Sequence, residues 1–291
     1  VHDGIGLLPR NDVFQVHISN YARDGVAAIR DNQLVLAPGA EYTAEWMIVP
    51  VPGGDYWDFV NATRRATDAN FTLPWLFTFV QTTGETNPEY LKKLAYTTSA
   101  NLMVRKNLYP QYHGKSAHGT CFQEIDRSGY RKLMDNIRKY APQAQSAIYF
   151  HCFLDALVDG DQKYPDAVLR RSDGSTAAYA GLGTMLFVPT ADNSFGPAVA
   201  RNVDLILDEC GADGVFWDEF EYSAYPYTYT EPWDGFSGDI DRDGKLIRLK
   251  SSVTLLSQPW RMALAERIRQ HGPLIINGSP ATRTSAALKV Q

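Results

Sequence analysis

No stretch of this sequence approaches the roughly 18 consecutive apolar residues that a membrane-spanning helix needs, so a helical membrane protein is excluded. Basic charge is not in excess. The 28 Lys and Arg against 33 Asp and Glu give a net charge of −5, with both signs interspersed. A nucleic-acid partner, which selects for a basic patch, is not expected. Cysteine is scarce: Cys121, Cys152 and Cys210 are the only three. They are far apart and show no C-x-x-C spacing, so three buried thiols are expected rather than a metal site. The six His are scattered, which weakens a metal-dependent hydrolase, because such sites gather several His or Asp ligands. No long low-complexity run is present, so disorder is not expected. The start at Val1 without a signal-peptide pattern reads as a processed chain or an excised piece. Sequons at Asn61, Asn70 and Asn277 bear only on a eukaryotic secretory setting.

What is present is a chain of 291 residues, 44% hydrophobic, with 16 Tyr and 6 Trp. That is enough to bury a sizeable core. Residues 1–55 read as β-rich. The runs VFQVHISN, NQLVLAPG and EYTAEWMIVPVP alternate, with turn signals between them. Residues 56–70 read as a connecting helix, with Trp57, Val60 and Arg64 at helical spacing after a cap at Asp55.

From residue 71 strands and helices alternate. Strands are expected at FTLPWLFTFV, NLMVRKN, SAIYFHCFLDA, GVFWDEF and PLIING. Helices are expected at NPEYLKKLAYTTS, RSGYRKLMDNIRKYA, FGPAVARNVDLILDECG and SVTLLSQPWRMALAERIRQHG, the last two ended by Gly211 and Gly272. Strand–helix repetition implies parallel strands with crossover helices. Long loops after the strands, at 107–126 and 156–194, suit an α/β fold of the (β/α)8 TIM type over residues 71–291, with the site on its C-terminal face. Five strands do not close eight, so the barrel is expected to be incomplete or to contain irregular strands. A doubly wound sheet is the alternative, but FVQTTGETNP lacks the Gly-rich phosphate turn of that fold.

The run Gly214-Val215-Phe216-Trp217 delivers Asp218, Glu219 and Glu221 to the end of the fourth expected strand. Alternation places Asp218 opposite Trp217 and Glu219 unless a turn begins at Glu219. Carboxylates at such a strand end suit glycoside hydrolysis, in which one acts as nucleophile or base and the other as acid. The other reading is that these acids pair with Arg or Lys on the rim. YSAYPYTYTEPWDGF follows, an aromatic loop that either stacks on sugar rings or packs on itself.

GADGVFWD resembles the fourth-strand motif of glycoside hydrolase barrels. Retaining α-glucosidases and α-galactosidases carry a similar G-x-D-G-[apolar]-x-x-D run, whose last Asp is the nucleophile. Poorly characterised bacterial glycosyl-hydrolase-like barrels have a similar run continuing to [DE]-[aromatic]. KYPDAVLRRSDGS resembles the P-[DE]-W-x-x-R-x-x-D-G segment of the same barrels. The resemblance implies Asp218 as nucleophile. Enzymes with Asn-Glu at the fourth strand use that Glu as acid/base, which brings in Glu219. No sixth-strand acid is found in these residues. The His-x-Gly-Gly that precedes the adjacent Asp-Glu of hexosaminidases is missing.

The expected function is therefore hydrolysis of a poly- or oligosaccharide by a carboxylate pair. The alternative is a non-catalytic carbohydrate-binding or scaffold protein on a decayed barrel. Asp218 and Glu219 are the catalytic candidates. Glu221, Asp155, His151, Arg105, Trp217, Tyr222 and Asn277 are candidates for substrate contact, with Asn107 and Trp75 as further polar and pocket-floor positions. No cofactor is expected, apart from a loose structural calcium at Asp239, Asp241 and Asp243. The D-x-D-x-D-G run there has Lys250 at the twelfth position, where an EF-hand needs Glu. Carbohydrate is the expected partner, without nucleic acid or membrane, in an extracellular or periplasmic setting.

Overall fold

The computed structural model describes residues 3–72, 77–80, 87–94, 97–100, 116–278 and 280–289. Among them a five-stranded sheet carries the site. In chain order its strands are Phe77–Val80, Thr97–Ala100, Ser146–Phe150, Gly214–Asp218 and Leu274–Asn277. Each pairs in parallel with the next. The spatial order follows the chain order without reversal. A doubly wound sheet reverses at a switch point, and the five described strands show no such reversal.

Side-chain alternation divides the sheet. Ile148, Phe150, Val215, Trp217, Leu274 and Ile276 join the main core, with residues of the flanking helices. Ala147, Phe216 and Ile275 form a separate small cluster with Tyr149, on the other face as the period of two requires. Trp217 is fully buried. Its ring meets the edges of Phe150, Phe220 and Trp260 at 4.9, 4.8 and 6.1 Å. Truncating so large a buried ring costs about 3–5 kcal/mol, which anchors the strand that ends in Asp218.

Three helices cover that outer face for legible reasons. Helix Ser128–Tyr140 buries Tyr130, Leu133, Met134 and Ile137, an i, i+3, i+4, i+7 stripe. Helix Phe195–Asp204 buries Phe195, Val199 and Val203 and runs on into a π-helical turn, Leu205–Glu209. It stops at Gly211, whose φ of 69° is the left-handed geometry expected of a C-terminal glycine. Helix Val253–His271 is capped by the Ser252 side chain, which accepts from the Leu255 N–H. Its terminating Gly272 is extended rather than left-handed.

Several expected elements differ. VFQVHISN is not one strand. Asp12–His17 is a short helix that buries Phe14 and His17, three residues apart, and only Ile18–Arg23 is extended. That strand pairs with Val26–Asp31 across Asp24-Gly25, two residues with positive φ, as a tight hairpin requires. NQLVLAPG contributes only an isolated bridge, Leu34 to Ser237. Trp46–Val51 is a strand as expected and pairs antiparallel with Gly4–Pro9. The connecting helix forms at Tyr56–Ala66, with Asp55 accepting from the Trp57 N–H at 2.6 Å. The helix expected at NPEYLKKLAYTTS is a single turn, Pro88–Leu91. Its last residues instead begin the second strand, Thr97–Ala100, earlier than the expected NLMVRKN, which lies outside the described residues. Among the described residues no helix is long and apolar enough to cross a membrane.

Candidate active site

Asp218 ends the fourth strand, half-buried, in register with Asn277 at the end of the fifth. Parity puts it on the face of Phe216 and Tyr149, away from Trp217. Its Oδ2 accepts from the Tyr149 hydroxyl at 2.6 Å. Its Oδ1 accepts from the Asn277 side-chain amide at 2.6 Å and from the Glu219 N–H at 3.1 Å. Both oxygens are thus aimed by neighbours on adjacent strands. Burial and the Asp218 carboxylate push the Tyr149 phenol far above its ordinary range, so it stays a donor.

Glu219 breaks the alternation. Its φ is 48°, a left-handed conformation that costs a non-glycine residue about 1–2 kcal/mol. The turn brings its carboxylate to His151, Ser223 and Tyr179. Oε2 accepts from His151 Nε2 at 2.9 Å and from the Ser223 hydroxyl; Oε1 accepts from the Tyr179 hydroxyl at 3.3 Å. The histidine tautomer follows from its other nitrogen. Nδ1 accepts from the Phe153 N–H at 3.1 Å, so the proton sits on Nε2 and the ring donates to Glu219 as a neutral imidazole. Burial alone would raise the Glu219 pKa, but the bonds from His151, Ser223 and Tyr179 outweigh it and hold the carboxyl below its usual range. His118 stands behind this group, its ring 5.7 Å from Tyr149 and 5.9 Å from His151.

Asp218, Glu219, His151 and Asn277, expected from the sequence, are therefore brought together. Neither Asp218 nor Glu219 pairs with Arg or Lys among the described residues. Glu221 is placed elsewhere. It is 5% exposed and lies 3.1 Å from the fully buried Arg261 guanidinium, which removes it from contact with a ligand. Asp155 is also sealed off. Its carboxylate accepts from the Thr120 N–H and hydroxyl at 2.8 and 2.7 Å and from the Leu157 N–H at 2.9 Å. Burial raises its pKa despite those bonds. Trp217 belongs to the core. Tyr222 is exposed on the loop beyond the strand. Arg105, Asn107 and Trp75 lie outside the described residues.

The aromatic loop packs against the segments around it. Lys250 sits 4.1 Å above the Tyr227 ring and Arg248 4.8 Å above Tyr229. The Trp233 indole N–H donates to the Ser237 carbonyl at 2.8 Å. The expected calcium loop does not fit a cation. Asp239 is paired with Arg248 and Lys250 at 2.7 and 2.9 Å, and Asp241 accepts from its own turn, the Asp243 and Lys245 N–H groups. No group of three His, Cys, Asp or Glu among the described residues is arranged to hold a metal ion. A Ser–His–Asp alignment, Ser237–His17–Asp31 at 2.8 and 3.2 Å, is not a nucleophilic site. Ser237 is fully buried, and its hydroxyl donates to Asp234 at 2.5 Å.

Sequence reasoning missed Tyr149, Ser223 and Tyr179. Tyr149 was accessible, because it lies two residues before His151 on the face that alternation assigns to Asp218. Ser223 lies beyond the strand end, and Tyr179 comes from the long 156–194 excursion. Neither carries a local signal.

No family model matches the chain, and no curated protein matches it. Solved structures resemble it in fold. An alpha-galactosidase from Thermus thermophilus in complex with stachyose superposes with a TM-score of 0.55 at 14% identity, over 97% of this chain and 54% of that one. A variant GH36 alpha-galactosidase from Geobacillus stearothermophilus, also with stachyose, superposes with a TM-score of 0.50 at 9% identity, over 86% of this chain and 36% of that one. The chain thus spans about half the length, or less, of these solved chains. At such identities the likeness is one of fold alone.

Proposed function

We propose that the chain carries the Asp218 half of a glycoside hydrolase site, acting on a poly- or oligosaccharide. The observation that carries this reading is Asp218 itself. It is a strand-end carboxylate held by three neutral donors, with no cation among the described residues to neutralise it. The structural acids beside it are sealed away, Glu221 against Arg261 and Asp155 among hydroxyl and N–H donors, whereas Asp218 stays half-exposed at the strand end. A carboxylate left as an aimed anion suits attack on an anomeric carbon, or activation of water there, and it stabilises the positive charge that develops on the sugar ring. Glu219, held ionised, suits accepting sugar hydroxyls and adding negative potential beside the ring. Its lowered pKa tells against the proton-donor role, which needs a raised one. In the proposed reaction the Asp218 oxygen bonds to the anomeric carbon while the aglycone oxygen departs with the bonding pair and takes a proton from solvent; water then attacks the anomeric carbon, gives up a proton and releases Asp218 as a carboxylate.

α-Galactosides are the first substrates to try, since both solved relatives in fold hold stachyose. A panel of activated aryl α- and β-glycosides tests the reading, because their leaving groups need no acid. Hydrolysis by the wild type that is abolished in Asp218→Asn supports it. Hydrolysis unaffected by both Asp218→Asn and Glu219→Gln overturns it. The absence of a raised-pKa carboxyl facing Asp218 among the described residues favours a second reading, a carbohydrate-binding protein. In that case stachyose binds by calorimetry, no aryl glycoside is cleaved, and Asp218→Asn weakens binding.

A further inference from the structure

Behind the site lies a buried ion pair that ordinary stability does not explain. Arg261 is fully buried in the middle of helix Val253–His271. Its Nε donates to the Ser257 hydroxyl at 2.9 Å and its Nη2 to the Thr254 carbonyl at 2.8 Å. Nη2 also lies 3.1 Å from Glu221 Oε2. Its guanidinium stands 4.7 Å from the centre of the Phe220 ring. Glu221 in turn accepts from the Ala281 N–H at 3.2 Å, and its carbonyl accepts from the Thr254 hydroxyl at 3.2 Å.

The pair therefore ties helix Val253–His271 to the segments that follow two neighbouring strands. They carry Glu219 and the residues just beyond Asn277. Well-packed apolar side chains stabilise a buried site as well as an ion pair does. What they lack is direction, whereas a planar guanidinium fixes several partners at once. Phe220 and Glu221 directly follow the left-handed Glu219, a conformation that persists only where its surroundings over-determine it.

We propose that Glu221 and Arg261 are positioning residues, which hold Glu219 in its left-handed turn against His151, Ser223 and Tyr179. Their role acts through Glu219 and rests on the reading of this strand end as a glycosidase site. The geometry itself, however, is testable without any activity.

Two charge-balanced replacements isolate geometry from electrostatics. Glu221→Gln with Arg261→Met removes both charges, and Arg261→Lys keeps both but loses the fork. In each, the Glu219 carboxyl is followed by carbon-13 NMR titration, with a cooperative thermal melt confirming the fold. The expected result is an upward shift of the Glu219 titration in both variants, as the turn relaxes away from its donors. On any aryl glycoside that the wild type cleaves, kcat falls while KM changes little. Should the double variant not fold, Arg261→Lys decides alone, since it preserves charge and approximate volume. An unchanged Glu219 titration in the folded variants overturns the proposal. A shifted titration in a chain that cleaves no glycoside leaves the positioning role standing and removes only the glycosidase reading.

Discussion

Acidification acts on this protein through His118 before it reaches the carboxylates. His118 is buried between Tyr149 and His151. Burial pushes its pKa down to about 3, and Glu219 opposes this only in part. In the unfolded chain a histidine titrates near 6.5. Between these values the unfolded state binds a proton that the folded state refuses, so stability falls as pH falls, by about 1.4 kcal/mol per unit. From pH 7.5 to pH 5.0 the expected loss from this group is about 2 kcal/mol, against a total of roughly 5–15 kcal/mol for a typical protein. Carboxyls held below their usual range, such as Glu219 and Asp239, act in the same direction but in a lower window. Their contribution is present above about pH 4 and is lost only as pH falls through their folded values. Urea unfolding of the wild type and His118→Phe at pH 7.5, 6.5, 5.5 and 5.0 separates the two. The wild type should lose about 2 kcal/mol more than the variant across that range. Parallel profiles, within about 0.5 kcal/mol, would refute the placement of a neutral buried imidazole beside the site.

Breaking the pair behind the site should be costly and reversible by a second change. Arg261→Met alone leaves Glu221 buried without its cation and is expected to cost about 3–5 kcal/mol. Adding Glu221→Gln should recover most of this, as measured by a double-mutant cycle in urea. The three thiols should resist modification in the folded state, since Cys121, Cys152 and Cys210 are buried and burial raises each thiol pKa, that of Cys210 to about 12. A thiol-specific disulfide reagent should titrate none of them in the native protein and three after unfolding.

The third, fourth and fifth strands of the parallel sheet were legible because they are short, mostly apolar runs buried on both faces, and because helices beside them carry clean stripes such as Tyr130, Leu133, Met134 and Ile137; the second, Thr97–Ala100, is polar and was not. The N-terminal segment was less so. VFQVHISN alternates like a strand, yet Phe14 and His17 are drawn to one side at helical spacing, a tertiary choice that local pattern does not encode. At the site, the strand motif pointed to Asp218, and the possibility of a turn at Glu219 was visible without its outcome. The fate of Glu221 was not legible, because its partner Arg261 lies forty residues on, in a helix whose pattern gives no reason to expect a buried cation. Tyr179 joined the site from a long excursion for the same reason. Contacts made by chain return leave no mark in local spacing.

The central claim is that Asp218 does the chemistry. It is tested most directly by the rate at which an activated aryl glycoside, one cleaved by the wild type, is cleaved by Asp218→Gly with and without azide. Removing the carboxylate should lower the rate on the order of 10³-fold, about 4 kcal/mol of barrier. Azide, entering the space left behind, should restore a substantial part of it and yield a glycosyl azide. An Asp218→Gly protein that keeps the wild-type rate without azide would contradict the account.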